Sequence, residues 1–196
     1  GAEKFLDIKC RKAGIQPNCV VIVATIRALK MHGGVEKEDL KKENIHAVKK
    51  GLVNLERHIN NIKKFGINPV VAINHFVLDT KAEIKIISNF CKNIHVEVSE
   101  CTHWANGGKG TKDLAKKVVE TCKKSKKNNF KFLYNEKETL WNKIETIAKE
   151  IYKANKITAD EKVKEELIKF EKNGYGKLPV CIAKTQYSFS VDPKLK

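Results

Sequence analysis

Cys19-Val-Val-Ile-Val-Ala24 is a run of apolar residues introduced by Pro17-Asn18. So short a run, rich in β-branched side chains, predicts a strand buried on both faces, as in a parallel sheet. From Asn44 to Phe65 the apolar spacing changes to steps of three and four, at Ile45, Val48, Leu52, Leu55, Ile59 and Ile62. That period predicts an amphipathic helix, stopped by Gly66. Pro69-Val-Val-Ala-Ile73 predicts a second buried strand. Thr80 with Glu83 three residues on forms a capping box, so a helix opens there and runs to about Lys92. Ile94 to Ser99 predicts a third strand, and Thr111 to about Lys124 a helix with Leu114, Val118, Val119 and Cys122 on one face. Residues 15–124 thus alternate strand and helix, which implies a parallel sheet with right-handed crossovers.

The remainder is less regular. Lys123 to Asn129 is a polar, lysine-rich link, and it divides a parallel α/β segment, 1–125, from a smaller helix-rich α/β segment, 126–196. In the second segment Phe130-Lys-Phe-Leu-Tyr134 reads as a short strand. Helices are expected at about 136–153 and 159–172, the latter opened by a capping box in Thr158-Ala-Asp-Glu161. Asn173-Gly-Tyr-Gly176 ends that helix, and Leu178-Pro-Val-Cys-Ile-Ala183 reads as a last strand, with proline near its start. The predicted class is α/β, a mostly parallel sheet with flanking helices of the Rossmann-like or P-loop type, followed by a smaller α/β part.

Composition adds little to the fold but narrows the function. Of 196 residues 41% are apolar, enough for a sizeable core. No apolar run approaches the length of a membrane span, and no charged-then-apolar leader follows Gly1. The net charge of +16 comes almost wholly from lysine; Arg11, Arg27 and Arg57 are the only arginines. Groove reading of nucleic acid favours arginine forks, so scattered lysines read first as a solvated surface. Attraction of polyanionic small molecules comes second and nucleic acid third. The six cysteines, 10, 19, 91, 101, 122 and 181, include no C-x-x-C pair, so no zinc site is expected. Buried free thiols in a reducing cytoplasm account for them most simply.

The chemistry concentrates where strands end. Cys101-Thr-His-Trp-Ala-Asn-Gly-Gly-Lys-Gly-Thr-Lys-Asp113 sets a tryptophan just before a glycine-rich loop. A P-loop needs a glycine, four further residues and then Gly-Lys-Ser/Thr; here position 103, where that glycine would stand, is His, and Gly110 separates Lys109 from Thr111. The chain therefore carries no recognisable triphosphate motif. In open parallel sheets, ligands bind beyond the carboxyl ends of the strands. Three unusual segments fall there: Thr25 to Gly34, Asn74-His-Phe76, and Cys101 to Trp104 with Gly107 and Gly108. Phe76 and Trp104, from neighbouring strand ends, either sandwich a flat heterocycle or each cap the core locally. The glycines would let backbone approach a ligand, and Thr111 would cap the next helix, with Asp113 in its first turn. Arg27 and Lys30 either hold an anion or pair structurally with a carboxylate. His32, His75 and His103 read as hydrogen-bonding fillers rather than bases. Trp141 reads as packing on an amphipathic helix.

Val23-Ala-Thr-Ile-Arg-Ala-Leu-Lys-Met-His-Gly-Gly34 resembles a signature of formate–tetrahydrofolate ligases. Gly1 to Gly14, Asn74-His-Phe-Val-Leu-Asp-Thr80, Thr102 to Gly110 and Leu178 to Ser188 resemble further blocks of that family, in the same order and over essentially the whole chain. The resemblance implies an internal fragment, roughly a third of the parent enzyme, that lacks the upstream glycine-rich ATP loop. It implies an ADP-producing, carbon–nitrogen bond-forming ligase of one-carbon metabolism. That ligase joins formate to tetrahydrofolate through formyl phosphate and yields 10-formyltetrahydrofolate. ATP with magnesium and tetrahydrofolate are the substrates, monovalent cations activate, and the parent is a cytoplasmic homo-oligomer.

By motif position, the two aromatics that stack on the pterin correspond to Phe76 and Trp104. Asn74, Arg27, Lys30, His32, Gly107 and Gly108 belong to blocks that line the cleft; no catalytic residue is assigned, and no metal ligand. Val77 departs from the proline common at that place in the family. The lysine excess suits a polyglutamylated folate. On this reading the chain supplies the folate side, is inactive alone, binds nothing tightly, and needs the missing ATP-binding portion as its partner. A stand-alone folate-binding or assembly fragment is the alternative, and a lysine-rich nucleic-acid binder a remoter one.

Overall fold

A computed structural model of the chain describes residues 2–125 and 129–183. A single helix opens it, α1, in which Ala2–Lys4, a π-helical Phe5–Cys10 and Arg11–Ala13 follow without a break. Then come β1 (Cys19–Ala24), α2 (Ile26–His32), α3 (Ile45–Lys64), β2 (Asn68–Asn74), α4 (Lys81–Asn93) and β3 (Glu97–Cys101). A one-turn α5 (His103–Asn106), α6 (Lys112–Lys124), α7 (Leu140–Glu150) and α8 (Glu161–Lys172) complete the order. The contacts group the described residues into two units, one within 17–130 and the other joining 2–16 to 131–183.

The first unit is the parallel α/β layer the alternation predicts. Its sheet has the order β1-β2-β3, with both pairs parallel. The core on one face joins Val71 and Ile73 of β2 to Val48, Leu55 and Ile59 of α3 and to Ile87 of α4. Burying an isoleucine fully is worth about 1.5–3 kcal/mol, and Ile59, Ile73 and Ile87 are all fully buried. The strand periodicity of two sends Val21, Val23, Val70 and Ala72 to the other face, where α6 packs. Val70 and Ala72 are buried there, but Val21 and Val23 are 39% and 65% exposed. The expectation that the first strand is buried on both faces is thus corrected: among the described residues α6 covers only part of the outer face of β1.

The third strand starts later than the apolar run suggested. Ile94 ends α4, His95 takes a left-handed conformation (φ 54°), and pairing with β2 begins at Glu97. Thr80 caps its helix as expected, accepting from the Glu83 amide, and Asn44 likewise caps α3, accepting from the Ala47 amide. Thr111 does not cap α6; its hydroxyl donates to Gly108 O (3.2 Å).

In the second unit the two expected strands are absent among the described residues. Leu133 gives its amide to Asp7 Oδ1 (3.1 Å), and Tyr134 O accepts from Arg11 Nη2 (2.9 Å). Side chains of α1 therefore take the hydrogen bonds that a strand partner would. Lys143 of α7, fully buried, donates to the carbonyls of Gly176 (2.6 Å) and Leu178 (3.1 Å), which likewise occupies the backbone after α8. The helix expected over 136–153 is Leu140–Glu150, capped by Thr139. The capping box expected at Thr158 does not form, since Asp160 holds the cap position without a side-chain bond. The part of the last block beyond 183 lies outside the described residues.

Candidate functional site at the strand ends

The ends of β2 and β3 are level, because Asn74 and Cys101 are register partners. The next residues stay tied together. The His75 amide donates to Cys101 O (3.0 Å), and His75 Nδ1 lies 2.7 Å from Glu100 Oε1. The loops that carry Phe76 and Trp104 therefore leave the sheet side by side.

Each aromatic is held from its backbone. The Phe76 amide donates to Asp79 Oδ2 (2.9 Å) and Phe76 O accepts the Asp79 amide (2.9 Å), closing a turn around the exposed Val77 and Leu78. Partial burial pushes the Asp79 carboxyl above its usual range, against the opposing pull of the Phe76 amide and His75. Asp79 leads directly into the Thr80 cap of α4, so the helix fixes the turn. Phe76 is half-buried. Asn74 places an amide oxygen at the end of β2, buried and without a partner among the described residues.

Trp104 rides on α5 and is 68% exposed. The Thr102 amide donates to Gly110 O (3.1 Å), which closes the loop, and Asn106 Nδ2 donates to Thr102 Oγ1 (3.0 Å). Gly110 is where the loop needs glycine. A Cβ there would stand 2.5 Å from the Thr102 carbonyl carbon and 2.7 Å from the His103 nitrogen. Gly107 turns the chain with φ 54°, while Gly108 faces open space. The glycine segment thus closes the loop that carries an exposed indole. We expect Gly110→Ala to cost about 1–3 kcal/mol in urea unfolding and to shift Trp104 emission, with Gly108→Ala near neutral in both. Equal effects from the two would mean that close approach at residue 110 is not what shapes the loop.

The first strand end is built differently. Lys30, expected beside Arg27 in the cleft, turns inward and is 1% exposed. Its Nζ lies 2.6 Å from Glu83 Oε1 and donates to Leu40 O (3.2 Å) and Lys42 O (2.8 Å). It is the structural partner of a carboxylate, the second of the two roles open to it. Arg27 stays exposed. His32 lines a separate pocket of about 190 Å³ with Ala24, Thr25, Asn54 and His58. The structure therefore brings Asn74, Phe76, Trp104 and the glycines to one edge of the sheet, and leaves Lys30 out.

Sequence reading missed Asp79, Gly110 and the His75–Glu100 pair. Asp79 had a legible signal, since Asp-Thr-x-x-Glu places it just ahead of a cap; the His75–Glu100 pair depends on the register of β3, and Gly110 on the approach of Thr102 and His103. Among the described residues no helix is long and apolar enough to cross a membrane.

The comparisons with known proteins agree on one family. The profile described as Formate--tetrahydrofolate ligase matches residues 1–196. A Pelagibacter ubique protein named formate--tetrahydrofolate ligase is 63% identical over all 196 residues. Proteins of the same name from Rhizobium etli and Granulibacter bethesdensis are 55% and 54% identical over the same length. The chain spans only about a third of these relatives, 35% of the first two and 34% of the third.

Proposed function

Because the chain belongs to the formate–tetrahydrofolate ligase family, we propose that it supplies the folate-binding side of an enzyme that joins formate to tetrahydrofolate with ATP. The observation that carries this reading is the pair of level strand ends, which set the half-buried Phe76 and the exposed Trp104 on adjoining loops. A flat pterin offers both faces to aromatic stacking, and a ring beside each strand end suits such a ligand. Stacking contributes binding and orientation. It holds the folate nitrogen where an activated formyl group can reach it, which is catalysis by positioning.

The acyl donor on this reading is formyl phosphate, made from formate and ATP. The sequence has no recognisable triphosphate loop. The nucleotide, its metal and the formyl phosphate are therefore assigned to the rest of the parent protein. Asn74 is the polar group of this edge, and its unpaired buried oxygen suits an amino or ring N–H of the pterin. The chain alone is expected to bind folate without turning it over.

Tetrahydrofolate titrated into a Trp141→Phe variant, with Trp104 as the only remaining tryptophan, should quench the emission saturably. Phe76→Ala should weaken that binding about five- to hundredfold, since base-sized stacking is worth about 1–3 kcal/mol. A curve without saturation, or one indifferent to Phe76→Ala, would remove the aromatic pair from the site.

A further inference from the structure

Two half-buried cysteines of the sheet unit, far apart in sequence, meet on the outer face of the sheet. Cys19 is the first residue of β1, and Cys122 lies in the last turn of α6. The two thiols lie close enough to act on each other's charge, on elements that pack together. The meeting is fixed by neighbours on both elements. Ser125 Oγ, just past the end of α6, lies 3.2 Å from Asn18 O, just ahead of β1, and 3.0 Å from Thr121 O, its one proton shared between the two carbonyls. The end of the helix is thereby pinned to the start of the strand, one residue from Cys19 and three from Cys122. The remaining cysteines are placed differently: Cys10, Cys91 and Cys101 are buried, and Cys181 is exposed in the other unit.

We propose that Cys19 and Cys122 form a reversible dithiol–disulfide site, oxidised by small-molecule disulfides, that clamps the start of β1 to the last turn of α6. One of the two thiolates attacks a sulfur of the small disulfide, expels one small thiolate and leaves a mixed disulfide. The second protein thiolate then attacks the protein-bound sulfur and expels the other small thiolate. The two cysteines together give up two electrons and two protons, and the small disulfide leaves as two thiols.

Burial and the adjoining sulfur push the Cys19 thiol above its ordinary value. Charged groups on the two elements are chiefly lysines, Lys123 and Lys124 beside Cys122, with Glu120 on the same helix. The thiolate share, and with it the rate, therefore rises with pH through the alkaline range. The link spans most of the sheet unit in sequence, so oxidation removes freedom from the unfolded chain and should raise the unfolding midpoint. A reducing compartment keeps the pair open and an oxidising shift closes it.

The test is made on the 196-residue chain with oxidised glutathione, at neutral and at mildly alkaline pH. Free thiols are then alkylated and the peptides read by mass spectrometry. The expected product is a peptide pair linked through Cys19 and Cys122, formed faster at the higher pH and released by dithiothreitol. In urea the same link should fall to the share of the other pairings. Cys19→Ser should leave glutathione attached at Cys122, and Cys122→Ser should leave it at Cys19, because neither has a resolving partner. The proposal is overturned if the native chain returns both cysteines alkylated or separately glutathionylated. It is equally overturned if the link forms as readily in urea, since the fold would then not direct it.

Discussion

Replacing Glu83 with alanine should cost the sheet unit about 3–5 kcal/mol, the range for a buried ion pair that loses one partner. The carboxylate is fully buried and occupied on every side. Oε1 faces Lys30 Nζ at 2.6 Å and accepts the Asn44 amide at 2.9 Å; Oε2 accepts the Thr80 amide at 3.2 Å. One side chain thus closes the cap of α4, meets the amide of the residue that caps α3, and neutralises the lysine of α2. Removing it leaves an ammonium in the core with only the carbonyls of Leu40 and Lys42. Equilibrium urea unfolding followed by circular dichroism would measure the loss. A cost below about 1 kcal/mol, the worth of a surface pair, would mean that water reaches the site.

The same group fixes a pH dependence. Burial alone would raise the Glu83 pKa, but Lys30 and the amides of Asn44 and Thr80 outweigh it and hold the carboxyl below its ordinary value. A folded-state value below the unfolded one of about 4.3 stabilises the fold at all pH above the unfolded value. That contribution is lost as pH falls through the lower folded value. The native chain should therefore lose stability at acid pH by a component that Glu83→Gln does not show. Identical acid limbs for the two would remove Glu83 as the source.

The second large effect is expected at a helix glycine. Gly51 lies inside α3, where helix propensity alone predicts that alanine would gain about 1 kcal/mol. Packing predicts the reverse. A Cβ on Gly51 would stand 2.0 Å from Leu29 O and 2.8 Å from the Leu29 carbonyl carbon, both backbone atoms of α2. Gly33, at the end of α2, meets Ala47 O in the same way, so the two helices touch at two glycine contacts. Backbone cannot yield as a flexible side chain does. Gly51→Ala should therefore cost at least the roughly 1–3 kcal/mol typical of overpacking, and it should separate α2 from α3. A stabilised variant in thermal unfolding would show that propensity wins and that the helices are not in this contact.

What the sequence determined by itself was what depends on neighbours in the chain. The run Cys19 to Ala24, the three–four spacing of α3 and the Thr80–Glu83 box each fix an element within a few residues, so these elements form where local pattern places them. The blocks around Lys30, Phe76 and Trp104 carried the family likeness in the same way, residue by residue. Only the tertiary structure decided what depends on distant partners. A lysine looks the same in sequence whether it meets a ligand or a buried carboxylate; Lys30 is internal because α2, the 40–42 turn and α4 close around it. Phe130 to Tyr134 has the composition of a strand, but its backbone bonds go to Asp7 and Arg11, more than a hundred residues earlier. β1 has the apolar run of a strand buried on both faces, yet Val21 and Val23 stay exposed because how far α6 reaches across the sheet is decided by packing rather than by composition. Gly51 and Gly110 are required by the backbone of another segment, so neither shows its reason until the chain has folded.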